Sequence, residues 1–150
     1  MHKTHIQLGF SLIELMVTVA VMAILSTIAL PALGSMSAGN DLNTAQENII
    51  ETLKKARGMA VSHSTFATVT INSAAHTVQL ALADGSQPNE TIQIRPGILI
   101  GANATLVFSA QGTISAQAGT TTITLSSPGY VSLPQRRIAI SPTGVVTATR

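Results

Sequence analysis

A single acid inside an apolar run constrains this chain more than any other feature. The run is QLGFSLIELMVTVAVMAIL, Gln7 to Leu25, and the acid is Glu14. From Leu15 to Leu33, 15 of 19 residues are apolar, with Thr18, Ser26, Thr27 and Pro31 the exceptions. At ~1.5 Å per residue such a helix reaches roughly 28 Å, close to a ~30 Å hydrocarbon core. The next charge after Glu14 is Asp41. A carboxylate in such a segment costs on the order of 2.5–3.5 kcal/mol on insertion scales, so it needs a purpose or a partner.

Three arrangements fit the run. It is a plain transmembrane anchor, or a secretory signal peptide with Lys3 as its charged region and cleavage near Ala32-Leu33-Gly34. Alternatively, the chain is cut before the apolar run and keeps the whole helix. A signal-peptide core has no use for Glu14. A cut between Gly9 and Phe10, in contrast, makes Glu14 the fifth residue of the mature chain, one helical turn from a new α-amino group. From there the carboxylate reaches the amine of an axially staggered neighbour, or it caps its own helix and snorkels to the interface. Physics alone does not choose between the two.

The stretch GFSLIELMVTVAVMAILSTIALP resembles the cleavage and assembly signature of type IV prepilins and type II secretion pseudopilins. Gly9, Phe10, Ser11, Leu12, Ile13, Glu14 and Pro31 match it. The resemblance implies a leader, residues 1–9, removed by prepilin peptidase after Gly9. It also implies N-methylation of Phe10, an assembly helix over 10–33 with a helix-loosening Pro31, and Glu14 as the residue that registers the subunit in a filament. Other pilins or pseudopilins, the bacterial inner membrane and prepilin peptidase are the implied partners. Lys3 on the leader keeps that end cytoplasmic and residues 34–150 periplasmic.

Past an expected interruption at Gly34–Gly39, Asn40 or Asp41 reads as an N-cap. Leu42, Ala45, Ile49, Leu53, Ala56 and Ala60 then trace one stripe of an amphipathic helix over 41–62. Glu51 and Lys55 stand at the favourable i,i+4 spacing. Beyond residue 65, short alternating runs predict seven or eight strands, among them a hairpin of Ala67, Val69, Ile71 and Val78, Leu80, Leu82 around NSAAH. The fold class is therefore α+β: a long N-terminal helix, half transmembrane and half amphipathic, packed on antiparallel sheets.

Charge is sparse, at 9% of residues, because Leu15 to Asn40 and Pro96 to Gln135 carry none. The first run is apolar. The second is rich in Ser and Thr, which suits strands with one wet face. With no cysteine, thiolate metal sites are excluded. His63 and His76 are lone histidines, and Asp84 and Glu90 bracket a loop without the marks of a catalytic pair. No cofactor, no metal and no enzymatic activity are expected.

LKKARGMAVSHSTFATVTI resembles the helix-to-strand junction of the H-type minor pseudopilins and their pilus relatives, the FimT/GspH group, through Ala56, Arg57 and Ala60. LVFSAQGTI and RRIAISPTGVV, with Gly112 and Gly144, resemble its terminal strands. Some pilus members of that group bind DNA through a C-terminal Gly-Arg-x-Arg motif. Here Gly144 is followed by Val145 and Thr147 where the arginines would stand. The remaining candidates for DNA are Arg136, Arg137 and Arg150, at the two ends of one expected hairpin. A structural minor pilin or pseudopilin and a DNA-binding minor pilin are thus the two expected function classes. A secreted β-domain released by signal peptidase is the third.

Overall fold

A computed structural model describes residues 10–115 and 119–149, which contain one helix and nine strands. The helix α1 is Leu12–Ser62. The strands are β1 Ala67–Asn72, β2 Thr77–Leu82, β3 Glu90–Gln93, β4 Leu99–Ile100, β5 Ala104–Phe108, β6 Ile114–Ser115, β7 Thr121–Ser126, β8 Arg136–Ile140 and β9 Val146–Thr149. The chain divides into two compact units, residues 1–36 and 37–150. The class is α+β, with a long N-terminal helix and antiparallel sheets.

The expected interruption at Gly34–Gly39 does not occur. Residues 34–39 are helical, and Asn40 and Asp41 lie inside α1 rather than capping it. Two isolated glycines cost only about 1 kcal/mol each in a helix, and no proline stands between them to remove a rung. Ser35 donates back to the Ala32 carbonyl (2.9 Å), and Gly39 faces the Leu133 side chain. At its far end α1 stops in a Schellman arrangement. Thr65 N–H reaches the Ala60 carbonyl (3.1 Å) and Ser64 N–H the Val61 carbonyl (3.3 Å). Ser64 takes the left-handed conformation that glycine usually holds there, at φ 51° and a cost of about 1 kcal/mol.

The six apolar residues of the predicted stripe, Leu42 through Ala60, are all buried. Three of them are alanines, which let the helix backbone approach the strands. Gln46 and Thr52 are buried beside them. The Gln46 amide donates to the Arg137 carbonyl (3.1 Å), and the Thr52 hydroxyl to the Asn48 carbonyl (2.7 Å). One sheet runs β3-β2-β1-β5-β6 and the other β4-β7-β8-β9, every pairing antiparallel. Val69, Leu80 and Leu106 on the first and Ile123, Leu125 and Ile138 on the second point inward, alternating with less buried residues such as Thr70, Gln79, Thr124 and Arg137. Helix and both sheets share one hydrophobic cluster, with Phe108 its largest fully buried side chain.

Two turns of like sequence, Ser109-Ala110-Gln111-Gly112 and Ser141-Pro142-Thr143-Gly144, have like geometry. In each, the glycine N–H bonds the serine carbonyl (2.8 and 2.9 Å), and the glycine sits at φ 76°. The turns touch: Ile114 N–H donates to the Pro142 carbonyl (2.9 Å). A Cβ on Gly144 would lie 2.1 Å from the Gly112 carbonyl oxygen, so this contact admits only glycine. Gly144→Ala therefore combines a left-handed alanine with an overpacked contact, about 3 kcal/mol in all. The expected fall in the thermal midpoint is roughly 10 °C. Gly97→Ala, where a Cβ meets nothing within 4 Å, is the control and leaves the midpoint within about 2 °C.

Candidate functional site

Ser11 is the N-cap of α1, its carbonyl accepting Glu14 N–H (3.1 Å) and Leu15 N–H (3.2 Å). Ser11 and Glu14 stand at capping-box spacing, yet among the described residues neither side chain makes the reciprocal bond. The other polar side chains of the run are satisfied locally. Thr18, Ser26, Thr27 and Ser35 each donate to a carbonyl three or four residues back, at 2.7–2.9 Å. Glu14 is exposed and has no hydrogen-bond or cationic partner among the described residues. Around it the helix is apolar on every side. From Phe10 to Met36 each large apolar side chain is 49–86% exposed, and α1 is long and apolar enough to cross a membrane by length and composition. Pro31 lies inside α1, where its missing N–H leaves the Thr27 carbonyl without an i+4 donor. Gly9 lies outside the described residues.

Within 37–150 the motif residue Arg57 joins helix to turns. Its Nε donates to the Gly112 carbonyl (3.0 Å), at the point where the Gly112 and Gly144 turns meet. The three landmarks that the sequence singled out separately are thus one contact. Of the three C-terminal arginines, Arg136 and Arg137 fall on opposite faces of β8. Arg136 opens β8 facing inward, only 9% exposed, with its Nε on Asn43 Oδ1 (3.0 Å) and its Nη1 buried without a partner. It is a core residue and not a surface cation, because its place in the β8 alternation puts it on the face shared with Ile138. Arg137 is exposed, paired in register with Thr149, and Arg150 lies outside the described residues. Among the described residues Arg137 is thus the one exposed arginine of this candidate patch, and a single cation offers little to a phosphate backbone.

Residues 5–30 match the model of the prokaryotic N-terminal methylation motif, a range that includes Gly9, Phe10 and Glu14. The fold is similar to that of the type IV minor pilin FimU of Pseudomonas aeruginosa. The TM-score is 0.61 at 22% identity, covering 74% of this chain and 90% of that one. It is also similar to EpsH, the minor pseudopilin of the Vibrio cholerae type 2 secretion system. Here the TM-score is 0.59 at 14% identity, covering 73% of this chain and 96% of that one. No curated protein sequence is significantly similar. The chain has a pilin-like fold behind a methylation motif.

In this pilin-like fold two ion pairs tie α1 to the segment around β3. Lys55 pairs with Glu90 on β3, not with Glu51 as the helical spacing predicts, and Arg95 pairs with Asp41 of α1 (3.0 Å). Exposed i,i+4 pairs contribute only a few tenths of a kcal/mol, so a cross-element partner displaces them readily. Asp84, Ser86 and His63 cluster, but in the wrong order for a catalytic relay. The Ser86 hydroxyl lies on Asp84 Oδ1 (2.8 Å) and 3.3 Å from His63 Nδ1, so the acid orients the serine rather than the imidazole. Among the described residues no group of three His, Cys, Asp or Glu is placed to hold a metal.

The Ser86 backbone N–H, then its hydroxyl, hold the Asp84 carboxyl below its ordinary value of 3.8, with a smaller contribution from His63 charge. A depressed carboxylate favours the folded loop above the ordinary pKa and loses that contribution as pH falls through the folded value. An NMR titration of the Asp84 side chain should give a midpoint below 3.8, and Ser86→Ala should raise it part of the way back. A wild-type midpoint at or above 3.8 contradicts this account.

Proposed function

We propose that this chain is a minor pilin or pseudopilin, a structural subunit of a type IV pilus or type II secretion pseudopilus. Prepilin peptidase cuts between Gly9 and Phe10 and methylates the new amine of Phe10. Residues 10–33 then sit in the bacterial inner membrane, with residues 34–150 on the periplasmic side. On assembly it leaves lipid for the company of neighbouring pilin helices. The role is mechanical rather than catalytic.

One observation carries this reading. In a helix apolar on every side, Thr18, Ser26, Thr27 and Ser35 are satisfied by their own backbone, whereas Glu14, the one charge of the run, has no partner among the described residues. A carboxylate at the third helical position is favoured by the macrodipole, by only about 0.3–1 kcal/mol, which does not offset its cost in lipid. A neighbouring subunit's amine at the same depth does. The methylation motif and the pilin-like fold support the same conclusion independently. The DNA-binding alternative loses Arg136 to the core and is not part of the proposal.

Glu14→Ala should leave membrane insertion intact or improved while lowering incorporation into sheared filaments at least tenfold, read by immunoblot of membrane and filament fractions. Gly9→Val, which crowds the cleavage site, should retain the leader mass. Unchanged incorporation of the Glu14→Ala protein contradicts the pairing role.

A further inference from the structure

The second sheet is open along β9. Ser141 N–H meets the Val145 carbonyl (3.0 Å), so these residues form the hydrogen-bonded pair that closes the β8–β9 turn. Such pairs alternate in antiparallel strands. Thr147 and Thr149 therefore turn their main-chain groups toward β8, while Val146 and Ala148 turn theirs away. No described strand lies on that side. Other edges are protected: β4 and β6 have two residues each, and β3 begins with a charged residue just after Pro88. Val146–Thr149 carries neither charge nor proline. It is a template for one more strand.

Beside this edge runs a groove of about 640 Å³ between α1 and the start of β9. Val61 and Val145 line it, each 49% exposed, together with Lys54 and Arg57. No acidic side chain does. Lys54 has no ion pair among the described residues, and Arg57 faces a carbonyl rather than a carboxylate. The groove is therefore apolar in its walls and cationic at one end, and it is continuous with an unfilled sheet edge.

We propose that this edge and groove bind an extended acidic segment of another protein as an added strand. Its main chain pairs with Val146 and Ala148, an apolar side chain lies against Val61 and Val145, and a carboxylate faces Lys54 and Arg57. Among the described residues a second copy of this chain offers no such strand. The one acid on a described strand is Glu90, and Lys55 holds it. The inference does not depend on the filament reading, because it requires neither cleavage at Gly9 nor a pairing by Glu14.

The test uses the full chain in detergent micelles and two fluorescein-labelled peptides, EEVTVTV and KKVTVTV, with binding read by anisotropy. The acidic peptide should bind at least tenfold more tightly than the basic one. Ala148→Pro removes an outward N–H and no rung to β8, so the melting midpoint should stay while acidic-peptide binding falls at least tenfold. Lys54→Glu, on the exposed face of α1, should abolish the preference for the acidic peptide. Equal binding of the two peptides overturns the proposal. So does an unchanged preference in Lys54→Glu, or a full chain that dimerises through β9 and is made monomeric by Ala148→Pro.

Discussion

One helix has to satisfy two environments, and the rest of the molecule follows from that constraint. Up to Met36, α1 presents apolar side chains in every direction, which is stable only in lipid or among other apolar helices. From Leu42 onward the same helix is one-sided, with a buried stripe at 3.6-residue period and charges opposite. The side chains that would be costly in the first part are neutralised by their own backbone, as Thr18, Ser26 and Thr27 show. Glu14 is the charged exception, without a partner among the described residues, and in the proposed reading its requirement for a positive partner drives assembly.

In residues 37–150 the helix organises both sheets through a few long-range polar contacts laid over the hydrophobic cluster. Arg57 holds the paired glycine turns, Gln46 the β8 backbone, and Asn43 the Arg136 guanidinium. The Arg57 contact is the most demanding of these, since it needs two left-handed glycines in mutual van der Waals contact. It also explains why an arginine in α1 and glycines more than fifty residues away occur together in one sequence.

Local periodicity carried the core of this fold in legible form. The stripe from Leu42 to Ala60 is buried residue for residue, and the hairpin around NSAAH pairs Ile71 with Val78. What periodicity could not show was anything decided between distant elements. The pairing of Lys55 with Glu90 instead of Glu51 depends on where β3 lies, and the two-residue strands β4 and β6 are too short to have a period. Gly34–Gly39 resembled a break because glycine is a poor helix former, but a weak propensity does not end a helix without a proline or a competing cap. Arg136 was misplaced for a related reason: a charge at a strand start reads as surface, and only the register of β8 against β7 shows it facing inward.

The most direct measurement of the central claim is zero-length carbodiimide coupling in intact cells, followed by mass spectrometry of the membrane and filament fractions. An amide between the Glu14 carboxyl and the α-amino group of a subunit beginning at Phe10, or at the equivalent residue of a neighbouring pilin, is the expected product. A mature chain that begins beyond Leu33, or a Glu14 that couples to no amino terminus while other contacts in the filament do couple, contradicts the account.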